Sequence, residues 1–451
     1  MHAPGVLQDS RSAHNTPTAA APGRADFVAP PAEERDRPVK FPIMTSATTD
    51  PPRPRRRGVR RTVVVLVVLI VLAVVLLGAG GFYFAGQIDS DGLAATGTAT
   101  PTTYDLIVDS VAAGQVVLHR TGAASGPDPL PTGDTYGLTW PGGRGVLSGA
   151  PRTTADGRVR RELKVVAGVA PGPGTQAALD RDVWSDPRAA YGVDYRNVTY
   201  PCAGGSCPAW FVPGTSSTWM VLVHGKGAAV TEPLRGMGPA VRAGMPALDI
   251  AYRNDPGAPF DPSRRHAYGV TEWHDLEAAV TYATQHGARD VVLFGSSMGG
   301  SIVASFLEHS RLAPLARGVV LDAPALDFRS TVGWGAEHRT LPLLGTRVPD
   351  VLTGTAEWIA GWRYDVDWNG MDYLPGSWLH VPALVVHGVD DDTVPISTSD
   401  QFRAAHPGRV AELRVPGAGH VESWNVDPAA YWQREASFLG SVTATASSPT
   451  C

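Results

Sequence analysis

Charge is scarce in this sequence: Asp, Glu, Lys and Arg make up 18% of the residues and the net charge is only -5. Nothing in that balance supplies the basic surface that a nucleic-acid partner requires, so such a partner is not indicated. Cysteine is scarcer still, at three residues. Cys202 and Cys207 stand close together in YPCAGGSCPAW, and Cys451 is alone at the end of the chain. A C-x4-C pair without neighbouring Cys or His lacks the usual four-ligand zinc set, and in an oxidising compartment a disulfide is favoured. Closing so short a loop contributes roughly 2 kcal/mol, which trims a turn and no more. The first 43 residues hold little that is large and apolar and cannot bury enough surface to offset the entropy of ordering, so they read as disordered. Met44, just before a basic stretch, is a second candidate start.

What is abundant is aliphatic and aromatic side chain, 43% of the whole, which is ample for a large core. Part of it is concentrated in VVVLVVLIVLAVVLLGAGGFYFAG, a run from Val63 to Gly86 without a charge. At about 1.5 Å per residue such a helix crosses the roughly 30 Å hydrocarbon core of a bilayer. The competing reading, a cleaved signal peptide, fits less well because the run is long for a signal core and no clean A-x-A site follows. Arg53, Arg55, Arg56, Arg57, Arg60 and Arg61 precede the run, and Asp89 and Asp91 follow it. By the positive-inside rule the N-terminus faces the cytoplasm and everything after residue 86 lies outside.

The expected layout is a disordered basic tail (1–61), a transmembrane helix (62–86), a β-rich extracytoplasmic region (87–207), an α/β domain (208–442) and a flexible tail (443–451). Short β-prone runs separated by Gly/Pro turns define the β-rich region: YDLIV (104–108), QVVLH (115–119) and ELKVV (162–166). No catalytic motif occurs there. From about residue 208, near-continuous apolar strands alternate with helical stretches: WMVLVHG, MPALDIAYRND, DVVLFG, GVVLDAP, PALVVHG and AELRVPG. That alternation predicts a mostly parallel sheet covered on both faces, with any ligand at the carboxyl ends of its strands.

One of those strands ends in Gly295-Ser296-Ser297-Met298-Gly299-Gly300. In a tight strand-to-helix turn, small residues two before and two after the central position let the backbone pass, and the central side chain projects above the sheet. Only Ser297 has glycine at both positions; around Ser296 they are Phe294 and Met298. Alone, the pattern also fits a serine-rich helix cap. A serine hydroxyl at neutral pH needs a base, an orienting acid and donors for an oxyanion before it is a nucleophile. Among 13 histidines, His420 in VPGAGHVESW follows the last strand. Asp390, Asp391 and Asp392 follow the preceding strand in HGVDDDTVP, where a solvated turn or part of a calcium site is the alternative reading. The backbone amide of Met298 and one from the HGKG loop (224–227) are the candidate oxyanion donors. Asp322, ending an earlier strand, is an outside candidate for the acid.

HGKG, GSSMGG, HGVDDDTVP and GAGH in this order resemble the landmarks of the α/β-hydrolase superfamily, over roughly residues 208–442. YRNDPGAP and VTEWHDLEAAV look like a membrane-anchored actinobacterial-type branch of it. The resemblance implies an esterase- or lipase-like serine hydrolase with Ser297 as nucleophile, Asp391 as acid, His420 as base and the Lys226 amide joining Met298 in the oxyanion hole. It implies no metal or organic cofactor. Peptidase, acyltransferase and haloperoxidase-like chemistry share the same residues, and a non-catalytic envelope protein would share only the fold. Residues 327–380 interrupt the strand pattern with Trp334, Trp358, Trp362, Trp368 and Trp378, as a cap over the site would. An aromatic cap suggests an apolar acyl or aryl group, although those tryptophans equally suit core packing. The partners expected are a small-molecule or lipid-like ester and a membrane; the lysine side chain of the oxyanion loop has no role assignable from sequence.

Overall fold

A helix that is apolar on every side has no polar face to turn to water, and α1 (Arg56–Gln87) is of that kind along most of its length. In the computed structural model, which describes residues 56–97, 102–122, 128–341 and 345–444, none of the most apolar stretch of α1 is buried inside the protein. The chain divides into two units, residues 1–64 and 65–451. The described part of α1 is already helical at Arg56, ahead of residue 62, as arginine is a good helix former and continues the apolar helix backwards. The expected disorder before residue 56, the candidate start at Met44 and the tail with Cys451 lie outside the described residues. After α1 the chain widens into a π-helical turn, Ile88–Leu93, whose Ile88 and Leu93 are buried.

Six antiparallel strands follow: β1 (Leu106–Ala112), β2 (Gln115–Arg120), β3 (Tyr136–Trp140), β4 (Gly143–Thr153), β5 (Val159–Gly168) and β6 (Gln176–Asp180). They close into a barrel in the order β1-β2-β5-β4-β3-β6. Alternation drives closure: Leu106 and Val108, Val116 and Leu118, Val159 and Leu163 point inward at every second position, and a curved sheet is what lets one small set of side chains meet.

The second sheet has eight strands: β7 (Arg196–Cys202), β8 (Gly205–Val212), β9 (Thr218–Val223), β10 (Ala247–Ile250), β11 (Asp290–Ser296), β12 (Ala316–Asp322), β13 (Ala383–Gly388) and β14 (Val410–Val415). Their order is β14-β13-β12-β11-β9-β10-β8-β7. Strands β9 to β14 pair in parallel, whereas β8 runs antiparallel to β7 and β10. Strand β9 shows why the run is apolar throughout: Trp219, Val221 and Val223 enter one core, and Met220 and Leu222 enter the other. Each such side chain contributes about 1.5–3 kcal/mol on burial. The sheet therefore begins at Arg196, not at residue 208. RNVTYPC in β7 buries only Tyr200, so this edge strand carries no apolar pattern to read. Cys202 and Cys207 are joined, closing the β7–β8 hairpin.

Helices cover both faces: α2 (Pro187–Tyr191), α3 (Leu234–Arg242), α4 (Trp273–Gln285), α5 (Met298–His309), α6 (Phe328–Glu337), α7 (Asp350–Tyr364), α8 (Ile396–Ala405), α9 (Ser423–Val426) and α10 (Pro428–Ala444). Helices α6 and α7 lie between β12 and β13, within the expected cap. Strand order, direction and the helix after β11 are those of the α/β-hydrolase fold, preceded here by a barrel and a long apolar helix.

Candidate active site

Ser297 sits between β11 and α5 with φ 50° and ψ -120°, a conformation a non-glycine residue adopts only under constraint. The constraint is visible. The Ser297 amide donates to the Asp322 carbonyl (2.9 Å), and the Ser297 carbonyl accepts from Gly300 (2.9 Å) and Ala325 (3.0 Å). A Cβ at Gly295 would lie 2.5 Å from the Gly299 carbonyl oxygen, and one at Gly299 would press into the Val223 carbonyl, so neither position admits a side chain.

His420 and Asp391 complete a chain of polar contacts. An ionised carboxylate only accepts, so His420 Nδ1 donates to Asp391 Oδ2 (2.8 Å). That leaves Nε2 to accept from Ser297 Oγ at 2.9 Å. Asp391 is buried; its Oδ1 accepts the amides of Thr393 (2.9 Å) and Val394 (2.8 Å), and its Oδ2 also lies 3.1 Å from His387 Nε2. Burial acts to raise its pKa, but hydrogen bonds from His387 and His420 outweigh burial and hold the carboxyl well below the usual range. The neighbouring aspartates are elsewhere: Asp390 caps the turn by accepting the Gly417 amide (2.9 Å), and Asp392 is exposed. Asp322 is buried and accepts from Tyr431 Oη (2.9 Å), with its carboxyl pushed up to about 6 by burial; it makes no bond to His420.

Met298 opens α5 directly after the serine, and a Cβ at Gly225 would lie only 3.0 Å from Ser297 Cβ, so the loop preceding Lys226 runs against the serine. The Lys226 side chain turns away and donates from Nζ to the Asp91 carbonyl (2.6 Å), and burial lowers its pKa. Sequence reading missed the residues behind this loop. Buried Glu232 accepts the Gly225 amide (2.8 Å) and Ser296 Oγ (2.6 Å), fastening the loop to the end of β11. Although burial opposes ionisation, Arg181 and Arg235 keep Glu232 a carboxylate. Arg181, which follows barrel strand β6, also donates to the His420 carbonyl (3.0 Å). An acid in VTEPLRG and an arginine in DRDVW carry no motif, so only their contacts in the fold reveal them.

His224 at the head of the loop has both ring nitrogens on acceptors, Nδ1 on the Gly225 carbonyl (2.8 Å) and Nε2 on Asp255 (2.9 Å), which requires the imidazolium. Burial works against that charge, but Asp255 prevails and raises the pKa to about 9 from 6.5. A raised histidine stabilises the fold fully below its unfolded pKa and ceases to do so as pH climbs through the folded value, so the loss falls between about pH 6.5 and 9. The effect is on the order of 3 kcal/mol. Thermal melts at pH 7 and 10 are expected to show a larger fall in Tm for the native protein than for Asp255→Asn; equal falls would remove the ion pair from the account.

A cavity of about 450 Å³ opens onto Ser297 and His420. Its apolar walls are Phe84 and Ile88 from the end of α1 and its π turn, Phe328 and Val332 of α6, Val348, and Ala356 of α7. None of the five cap tryptophans lines it. Trp378 is buried with Nε1 on the Tyr373 carbonyl, Trp368 bonds the Glu357 carbonyl, and Trp334 donates to the Asp391 carbonyl (3.2 Å), whereas Trp358 and Trp362 are exposed.

A family model described as serine aminopeptidase, S33, matches residues 263–372. An esterase of Pyrococcus furiosus is similar over 57% of this chain and 95% of its own, at 18% identity and a TM-score of 0.45. Est1E from Butyrivibrio proteoclasticus covers 55% of this chain and 99% of its own, at 16% identity and a TM-score of 0.40. A membrane phospholipase A, a bacterial virulence factor, covers 57% and 89%, at 19% identity and 0.41. No protein of curated function matches this chain. Strand order, the strained serine and the matched model together define a hydrolase of the α/β class. The family model matches residues 263–372, and the sheet in which they lie has the α/β-hydrolase fold.

Proposed function

We propose that the protein is a membrane-anchored serine hydrolase that cleaves carboxylic esters outside the cytoplasm. The observation that carries this reading is His420, placed between Ser297 Oγ and Asp391 at the mouth of an apolar cavity. His420 takes the proton of Ser297 as Oγ attacks the ester carbonyl, and Asp391 stabilises the imidazolium. The Met298 and Lys226 amides hold the oxyanion, the alcohol leaves with the proton from His420, and water then releases the acid. Walls built from Phe84, Ile88, Phe328 and Val332 suit an acyl chain, which favours an ester over a charged peptide terminus. The matched model's description keeps peptidase chemistry as the second reading. Helix α1 anchors the protein, and the arginines before Val63 hold its N-terminus inside.

One experiment addresses chemistry and side together. A membrane-impermeant fluorophosphonate is expected to label the protein on intact cells, and the purified full chain is expected to cleave p-nitrophenyl esters in preference to aminoacyl anilides. Labelling only after lysis would reverse the orientation. Absence of labelling in the lysate, or a preference for anilides, would refute the ester hydrolase.

A further inference from the structure

We propose that the outer end of the membrane helix is itself a wall of the acyl-binding cavity, and that the substrate is a lipid ester drawn from the bilayer that α1 spans. This inference rests on the ester-hydrolase reading above.

The end of α1 is built into the hydrolase. A Cβ at Gly81 would lie 2.6 Å from Thr355 Cγ2 and one at Gly80 would lie 2.9 Å from Leu352 Cδ1, so α1 and α7 meet at a distance only glycine allows. Beyond them, Asp89 pairs with Arg265 (2.5 Å), Asp91 pairs with Arg339 (3.0 Å), and the Asp91 carbonyl receives Lys226 Nζ. The Gly92 carbonyl accepts Tyr268 Oη (3.2 Å), and the Leu93 carbonyl accepts the His266 amide (2.8 Å). This segment is no slack tether, and Phe84 and Ile88 face the cavity because these bonds hold them there.

The same packing sets the height of the site above the membrane. Counting about 30 Å of hydrocarbon from Val63 at about 1.5 Å per residue ends near Phe82 and Tyr83, the aromatic pair expected at an interface. Phe82 and Tyr83 are exposed, within one turn of the α7 contact and of the cavity wall at Phe84. Helix α7 adds a second apolar surface at that level. Val351, Trp358 and Trp362 recur at helical spacing on one face and are 64%, 72% and 75% exposed. Arg363 stacks 4.0 Å over the Phe82 ring, which puts a cation at the depth of lipid phosphates. An outward face of two tryptophans continuous with a membrane helix has the bilayer interface as its occupant. A lipid moving along α1 passes this face and enters the cavity beside Phe84, beyond the α1–α7 contact, towards Ser297. Oγ forms the bond to its acyl carbonyl, the ester C–O bond breaks, the lyso-alcohol departs with a proton from His420, and water frees the fatty acid.

The full chain is tested in detergent on p-nitrophenyl butyrate and in phosphatidylcholine vesicles by release of fatty acid. Native protein is expected to cleave both. Trp358→Ser/Trp362→Ser, on the exposed face, is expected to keep butyrate turnover and to lose about tenfold on vesicles. Ile88→Trp is expected to lower the palmitate-to-butyrate rate ratio by about tenfold, as a filled wall rejects the longer chain. Butyrate cleavage without fatty-acid release, or a double variant as active on vesicles as the native protein, would overturn the inference alone. Failure on both substrates would overturn the ester reading and this inference with it. A halved detergent-solubilised mass in the double variant would give the tryptophan face to a second copy of the chain and overturn the bilayer contact.

Discussion

Ser297→Ala is expected to abolish fluorophosphonate labelling and to lower ester turnover by about 10⁶-fold, the scale seen when a serine nucleophile is removed from another hydrolase. Among the described serines only Ser297 has its hydroxyl against His420 Nε2, at 2.9 Å, and only Ser297 occupies the strained turn. Alanine fits the same backbone, so the variant should fold, and a melt will separate loss of chemistry from loss of structure. Ser296→Ala is the control. Its hydroxyl faces away and donates to Glu232, a bond to a charged group whose loss costs about 1.5–3 kcal/mol of stability. Labelling should survive in that variant. Full labelling of folded Ser297→Ala protein would remove the serine from the mechanism.

Asp391→Asn is expected to cost about 10⁴ in kcat, as in the trypsin precedent for an orienting acid. Asp391 accepts from His420, His387 and two backbone amides, and an amide side chain cannot accept from all of them. One NH₂ group would point at a histidine and turn the wrong tautomer towards Ser297. Asp390→Asn and Asp392→Asn should lose less than about tenfold, since a peripheral charge is worth roughly 1.4 kcal/mol. Asp322→Asn should leave kcat within the same limit, because burial already raises that carboxyl to about 6 and its partner is Tyr431. A crippled Asp322→Asn beside an active Asp391→Asn would move the acid to β12.

What could be read without coordinates was whatever one short stretch specifies by itself. Strands β9, β11, β12 and β13 announce themselves because burial on both faces demands apolar residues at every position, as in VVLF before Gly295. The elbow is legible because Gly295 and Gly299 answer local steric demands. Closure of the six barrel strands was not legible, since alternation in β1 or β5 states which face is buried but not which strand pairs with which. Strand β7 escaped because its single buried residue, Tyr200, makes no pattern. The cap tryptophans suggested a cavity lining, yet its apolar walls come from Phe84, Ile88, Phe328 and Val332, two of them far away in the chain. Glu232 and Arg181 were invisible for the same reason: their partners are brought to them only by the fold.

Arg181 reaching from the barrel to the His420 carbonyl and to Glu232 changes what counts as a minimal enzyme. A fragment trimmed to the eight-stranded sheet would lose one of two guanidinium counter-charges from a buried carboxylate, loosening the 224–227 loop and the His420 loop at once. Trimming only α1 would open the cavity on the side of Phe84 and Ile88. Weak turnover by either fragment would then measure the surgery rather than the enzyme, and a screen for natural substrates belongs on the intact chain.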